Sequence, residues 1–348
     1  MRILIVRLSS LGDVVHTIPV VAALRRSLPD ARIDWLVDSR HSELVGLVPS
    51  VDHRIVLPTD RGVLWLPRLV RELRAPSYDV AVDLQGLMKS AALARSSGAN
   101  RVIGFESHHL RERSAHWLYT ETPTVGSFTH VIRKNLALIS SLNVDTRALE
   151  FPILNIKSNA VGLTRAALGG DVMEPFVLLN PGSAWESKCW SPVRFGQLAQ
   201  SLWRIHGMRS AVLWGPSEKA RAQSVVTASA GSAVLTPSTT ITDLVALARA
   251  ATVMVSGDTG PLHIAAAVNT PCVWVYGPSD PIRNGPWSED DVVVSKFDQC
   301  GCQRNRAGSS GVIIRRCLQK SSCMSAISVD AVARAVLDRL SCLNDAQP

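Results

Sequence analysis

Short apolar runs, each leading into a turn and then a stretch of helical spacing, recur along this chain and leave it few folds to adopt. Residues 2–7 (Arg-Ile-Leu-Ile-Val-Arg) are nearly continuously apolar, the pattern of a parallel strand buried on both faces. A turn, Leu8-Ser9-Ser10-Leu11-Gly12-Asp13, follows. Val14, Val15, Ile18, Val21 and Ala22 then keep helical spacing, which predicts a helix lasting to about Ser27, before the Pro29-Asp30 break. Further strands are expected at Ile33–Val37, Ile55–Leu57, Val80–Leu84 and Arg101–Phe105. Helices are expected from Pro67, near Leu87–Arg95, and over a long stretch, 125–144. Strands alternating with helices from the first residues predict a doubly wound α/β domain.

The alternation then starts again. Beyond a short helical stretch (Ala160–Leu168) and the linker Gly169-Gly170-Asp171, strands are expected at 176–179, 210–213, 234–235, 252–255 and 272–276, with helices near 192–205, 218–228, 241–250 and 261–268. A length of 348 residues suits two such domains, placed at 1–165 and 172–325. Residues 297–325 read as irregular, and Val329–Leu340 as a closing amphipathic helix. Ligands of open α/β sheets bind beyond the carboxyl ends of the strands. Three strand-to-helix elbows are therefore expected to line a cleft: Ser9–Asp13, Asn180–Lys188 and Ser256–His263.

Composition excludes some functions. The net charge of +8 suits an anionic substrate or membrane face, but aromatic residues make up only 5%, too few for base-stacking platforms, so nucleic acid is not expected. Arg7 and Asp13 interrupt the apolar start, so no signal peptide is read, and no run approaches the ~18 apolar residues of a membrane span. A cytoplasmic protein is expected. Seven cysteines in a chain this long do not form a disulfide framework. Cys300, Cys302, Cys317 and Cys323 come in two pairs that invite a zinc reading, but they lack C-x₂-C spacing, and reduced thiols are the favoured reading. No metal site is expected.

The residues able to carry chemistry sit at the elbows. In Ser256-Gly257-Asp258-Thr259-Gly260-Pro261-Leu262-His263, Pro261 stands where a helix begins, so the N–H groups of Thr259, Gly260 and Leu262 are placed to bind an anion that His263 also faces. An ordinary junction with a buried histidine fits the same residues. Asp13 reads either as a first-turn carboxylate complementing the helix dipole or as a general base kept ionised by Ser9, Ser10 and backbone N–H groups. Lys188, past the Asn180-Pro181-Gly182-Ser183-Ala184 turn, is a solvated loop lysine or a point charge for a diphosphate. Glu218, after Gly215-Pro216-Ser217, is placed to hold a ribose. Arg61, Arg68, Arg71, Arg74, Lys89 and Arg111 form a solvated face or a set of donors for an anionic acceptor. There is no Gly-x-Gly-x-x-Gly after the first strand and no Walker sequence, which argues against an NAD-dependent oxidoreductase or epimerase and against P-loop hydrolysis.

Taken together, Arg7-Leu8-Ser9-Ser10-Leu11-Gly12-Asp13-Val14-Val15-His16-Thr17, Lys188-x-Trp190 and Ser256–His263 resemble glycosyltransferase family 9, the ADP-heptose:lipopolysaccharide heptosyltransferases, over nearly the whole chain. Asp83-Leu84-Gln85-Gly86-Leu87-Met88-Lys89-Ser90 and Arg111-Glu112 look more like the first heptosyltransferase than the second, whereas the four-cysteine tail is similar to the second. The resemblance implies a GT-B fold, with an acceptor domain, a nucleotide-sugar domain and a C-terminal segment, 326–348, whose helix packs back toward the first domain. It implies inverting transfer of L-glycero-D-manno-heptose from ADP-heptose to the Kdo of Kdo-lipid A at the cytoplasmic face of the inner membrane, with peripheral contact and no required cofactor. Asp13 is then the expected base and Lys188 the diphosphate partner. Ser183, Glu218, Asp258, Thr259, Gly260, Leu262 and His263 hold the donor, and Ser10, Arg61, Lys89 and Arg111 face the acceptor. A sibling transferase with another acceptor, or a non-catalytic nucleotide-sugar-binding protein, is the alternative.

Overall fold

The computed structural model describes residues 1–58, 65–126, 130–169, 174–300 and 323–345. The chain divides into two compact units, Met1–Leu154 and Asn155–Pro348.

In the first unit five parallel strands lie in the order β3-β2-β1-β4-β5: β1 (Arg2–Val6), β2 (Arg32–Asp38), β3 (His53–Leu57), β4 (Val80–Asp83) and β5 (Arg101–Ile103). Ile3, Leu4, Ile5 and Val6 are wholly buried, which is why the strand that carries them needs no polar alternation. The helices are α1 (Leu11–Val15), α2 (Ile18–Ser27), α3 (Ser42–Gly46), α4 (Trp65–Arg74), α5 (Met88–Ser96) and α6 (Val131–Ala137). The single helix expected after Asp13 is two. Pro19 sits in the first turn of α2, where its missing N–H costs nothing, and the break falls at His16-Thr17. The long helix expected over 125–144 is only α6 and a 3₁₀ turn at Ser140–Leu142. His130 caps α6 by accepting the Ile132 N–H at 3.2 Å, and Asn143 ends the turn in the left-handed region.

The second unit carries six strands in the order β11-β10-β9-β6-β7-β8: β6 (Phe176–Asn180), β7 (Arg209–Val212), β8 (Ala233–Leu235), β9 (Val253–Ser256), β10 (Cys272–Tyr276) and β11 (Val292–Ser295). Neighbouring strands pair in parallel throughout this order. Helices α7 (Asn159–Leu168), α8 (Pro192–His206), α9 (Lys219–Ala228), α10 (Ile241–Ala250), α11 (Gly260–Ala267), α12 (Pro281–Asn284) and α13 (Val329–Asp345) accompany them. Strand β11 escapes the sequence reading because it is a four-residue, half-buried edge strand.

Two expected boundaries shift. Helix α7, grouped with the first domain by the sequence reading, belongs to the second unit. Arg209 Nη1 donates to the Leu168 carbonyl at 2.7 Å, and the Ser158 hydroxyl to Asp243 at 2.5 Å. Helix α13 likewise packs on the second unit, where Val332, Ala335 and Val336 join the core containing Trp190, Phe195 and Val273. Its Arg339 pairs with Asp291 at 2.9 Å, both nearly buried, and Asp291 also accepts from the Cys272 N–H and the Trp274 indole. A buried guanidinium needs such a partner, and that fixes the helix there.

Candidate active site

Each sheet reverses its strand order at one point, between β1 and β4 in the first unit and between β6 and β9 in the second. Adjacent loops diverge there, leaving a crevice at the carboxyl ends. The candidate residues gather at both points.

In the second unit Asn180 ends β6 and Ser256 ends β9. Asn180 Nδ2 donates to the Ser256 and Thr259 hydroxyls, each at 2.9 Å, so the two elbows are stitched across the reversal. Asp258 follows and takes three partners: Lys188 Nζ and the Ser279 hydroxyl on Oδ2 at 2.6 and 2.7 Å, and His263 Nε2 near Oδ1 at 3.3 Å. Burial opposes ionisation of this carboxyl, but the His263 contact and the Lys188 ammonium outweigh it and hold the group far below the usual carboxylate range. Lys188 keeps 29% of its side-chain exposure, so a cation already held on one side remains open to solvent on the other. Helix α11 starts beside this cluster with Thr259 as its N-cap and Pro261 in its first turn, where N–H groups lack intrahelical acceptors. Gly257 is favoured by close approach, since a Cβ there would lie 3.0 Å from the Lys188 carbonyl.

Glu218 stands at the end of β7, capped onto the Gly215 N–H at 3.0 Å, and leans over Gly182 so closely that a Cβ would meet its carboxylate at 2.4 Å. Ser183 accepts weakly from the Trp185 N–H at 3.4 Å. The Ser183 and Glu218 loops therefore meet at the ends of neighbouring strands.

In the first unit Asp13 lies in α1, a third exposed. The Ser10 N–H and hydroxyl donate to its Oδ2 at 3.1 and 2.9 Å, and Arg7 Nη2 approaches Oδ1 at 2.5 Å. Burial again works against the charge. The buried Arg7 guanidinium, His16 and the Ser10 donors overcome it, and the carboxyl stays far below its ordinary value. Asp83, wholly buried at the end of β4, goes the other way. It accepts from Tyr119 (2.8 Å), Ser90 (2.9 Å) and the N–H groups of Gln85 and Gly86, but these donors are all neutral, so burial wins and its pKa rises. Asp83 thereby shapes the Gln85-Gly86 turn, and Gln85 Oε1 in turn accepts from the Leu8 and Ser9 N–H groups at 2.7 and 3.3 Å.

The family model of glycosyltransferase family 9 (heptosyltransferase) matches residues 66–311. The chain belongs to glycosyltransferase family 9. It is 28% identical over 310 residues to a lipopolysaccharide heptosyltransferase 1 from Pseudomonas aeruginosa, covering 86% of this chain and 85% of that one. It is also 28% identical over 303 residues to a lipopolysaccharide heptosyltransferase 3 from Escherichia coli, covering 81% and 85%. Among solved structures, Escherichia coli heptosyltransferase WaaC with ADP superposes with a TM-score of 0.76 at 22% identity, over 97% of this chain and all of that one. The two Rossmann-like units are those of a GT-B fold.

In this family 9 transferase Lys188, Asp258, Thr259, Gly260, Leu262 and His263 come together around the β6–β9 reversal, with Ser183 and Glu218 at the adjoining loops. Ser10 is bonded directly to Asp13. Lys89 and Arg111 are exposed; the Glu112 carboxylate beside Arg111 accepts the Met88 N–H at 2.8 Å, which ties that loop to the start of α5. Arg61, Cys302 and Cys317 lie outside the described residues. Cys300 and Cys323 have their sulfurs 3.1 Å apart.

The sequence reading named no role for Ser279, Asn180, Arg7 or Gln85. Ser279 had a signal: Gly277-Pro278-Ser279 after β10 repeats Gly215-Pro216-Ser217 after β7. Gln85 had none, because its contact with the Leu8 N–H arises where β1 and β4 end side by side, 77 residues apart, whereas Arg7 stands close in sequence to Asp13, the carboxylate it pairs with. No helix among the described residues is long and apolar enough to cross a membrane.

Proposed function

We propose that this enzyme moves L-glycero-D-manno-heptose from ADP-heptose to the Kdo of a Kdo-lipid A acceptor, with inversion. The observation that carries the reading is the pairing of chemistries at the two strand-order reversals. One holds an ionised, partly exposed carboxylate, Asp13; the other holds a lysine beside a helix N-terminus. The relatives named lipopolysaccharide heptosyltransferases and the fold shared with WaaC crystallised with ADP support the donor and sugar.

Asp13 takes the acceptor hydroxyl proton as that oxygen bonds to the anomeric carbon. The bond from that carbon to the diphosphate oxygen breaks, and the electron pair leaves with ADP. Lys188 and the first turn of α11 stabilise the charge that develops on the diphosphate. Asp258 orients Lys188, while Glu218 holds the ribose and Ser183 lies by the diphosphate. Lys89, Arg111 and Arg61 face the anionic acceptor. The positive charge comes from the protein, so no metal or cofactor is part of this reading. The acceptor is a lipid, and we place the enzyme in the cytoplasm with peripheral contact at the inner membrane through its basic surface.

The test is ADP release from ADP-heptose with and without Kdo-lipid A. Acceptor-dependent release supports the reading. Release only once a first heptose is already attached moves the acceptor assignment to a sibling enzyme, a reading the heptosyltransferase 3 relative favours. Donor binding without release on any acceptor favours a binding protein.

A further inference from the structure

Arg7 occupies an unusual position for a charged side chain. It immediately follows β1 and is 7% exposed. Its backbone is pinned on both sides: its N–H donates to the Leu36 carbonyl at 3.2 Å, and its carbonyl accepts from the indole of the fully buried Trp35 at 3.1 Å. Its guanidinium forks, Nη1 donating to the Leu84 carbonyl just beyond β4 and Nη2 to Asp13, while Nε finds no acceptor among the described residues. The described ion pairs of Arg7 consist of the one with Asp13.

Resting on the reading of Asp13 as the base, we propose that Arg7 is a positioning residue for the transfer: it fixes the Asp13 carboxylate at the β1–β4 reversal and keeps it anionic until the acceptor oxygen has begun to bond to the anomeric carbon. The reason is electrostatic. Protonating Asp13 leaves a buried guanidinium without its counter-charge, a costly state in a low dielectric. An acceptor alcohol is too weak an acid to force that change. Once its oxygen shares electrons with the anomeric carbon it becomes oxonium-like and strongly acidic, and its proton passes to an Asp13 oxygen as the diphosphate departs. A lysine would supply charge but not the planar fork that grips Leu84 and Asp13 together.

Other groups face the same carboxylate. His16 lies just past α1, and His41, from the 3₁₀ turn Ser39–His41, has its own pKa lowered chiefly by burial. The experiment must therefore observe Asp13 directly. Carbon-13 titration of the aspartate carboxyls in the full-length enzyme, with Asp13 assigned by its loss in Asp13→Asn, is compared among wild type, Arg7→Met and Arg7→Lys. The wild-type Asp13 signal is expected to stay flat from pH 4 to 8. In Arg7→Met its midpoint rises toward the ordinary carboxylate range, kcat/KM gains an acid limb that wild type lacks, and kcat falls by about 100-fold, the scale of a misplaced base. Arg7→Lys is expected to lie between the two, and it carries the test if Arg7→Met does not fold.

An Asp13 titration in Arg7→Lys, or in folded Arg7→Met, that matches wild type overturns the proposal. Full turnover by Asp13→Asn would instead overturn the base assignment, and the two failures are read by separate measurements.

Discussion

Lys188 Nζ lies 2.6 Å from Asp258 Oδ2, so the ammonium placed to receive a diphosphate is already oriented by a carboxylate that is itself held by Ser279 and His263. Removing the cation leaves Asp258 buried with weaker compensation. Breaking a fully buried pair costs about 3–5 kcal/mol. Here Lys188 is partly exposed and the other two partners remain, so Lys188→Met is expected to cost about 2 kcal/mol and to lower the melting temperature by several degrees. Turnover should fall by orders of magnitude, and donor affinity should weaken. Adding Asp258→Asn should restore much of the stability and none of the activity. Thermal unfolding of the single and double variants checks this, and an unchanged melting temperature in Lys188→Met would show that the pair contributes nothing to folding.

Asp13→Asn preserves shape but removes the base. Transfer is expected to drop by about 10²–10⁴-fold or more, while ADP-heptose affinity, measured by calorimetry, stays near wild type. Every candidate donor-binding residue belongs to the second unit, whereas Asp13 belongs to the first. Undiminished transfer by Asp13→Asn would remove Asp13 from the base role.

Gly182 lets the Ser183 turn pack directly against Glu218. A Cβ there would sit 2.4 Å from the carboxylate oxygens, and the carboxylate, the end of a flexible chain, would swing away and release the Gly215 N–H. Gly182→Ala should therefore stay folded while donor affinity falls about tenfold, the worth of one charge-assisted hydrogen bond. The same loss in Glu218→Gln, and no further loss in the double variant, would place both changes on one contact.

The Asp258 carboxyl is also a pH sensor for stability. Its folded pKa lies far below the ordinary value of 3.8. A depressed carboxylate pKa adds stability that is complete above the unfolded value and is lost as pH falls toward the folded one. Wild type should thus exceed Asp258→Asn in stability at pH 6–7, and the gap should narrow as pH drops from about 5 to 3. Urea unfolding across that range decides it; a gap independent of pH would mean that the folded carboxyl is not ionised more readily than the unfolded one.

What the sequence determined by itself is the alternation of buried strands and helices, and with it both sheets apart from the half-buried edge strand β11. Ile3–Val6, Phe176–Leu179 and Cys272–Tyr276 are apolar runs too short for helices and too continuous for a half-wet sheet, so local chemistry sufficed. The elbows were legible for the same reason: Gly260-Pro261 and Gly12-Asp13 are short-range signals of a turn opening a helix. Helix 125–144 was not, because its length was cut by a histidine cap and a left-handed asparagine that periodicity does not register. Tertiary structure alone decided which side chains share a charge. Lys188 meets Asp258 across 70 residues, Arg7 reaches the Leu84 carbonyl across 77, and Asn180 is bonded to Thr259 across 79, because parallel strands distant in sequence end side by side. It also decided the charge states: Asp13 in α1 and Asp83 at the end of β4 are carboxylates of one unit, yet a neighbouring guanidinium holds the first ionised while burial pushes the second toward its neutral form.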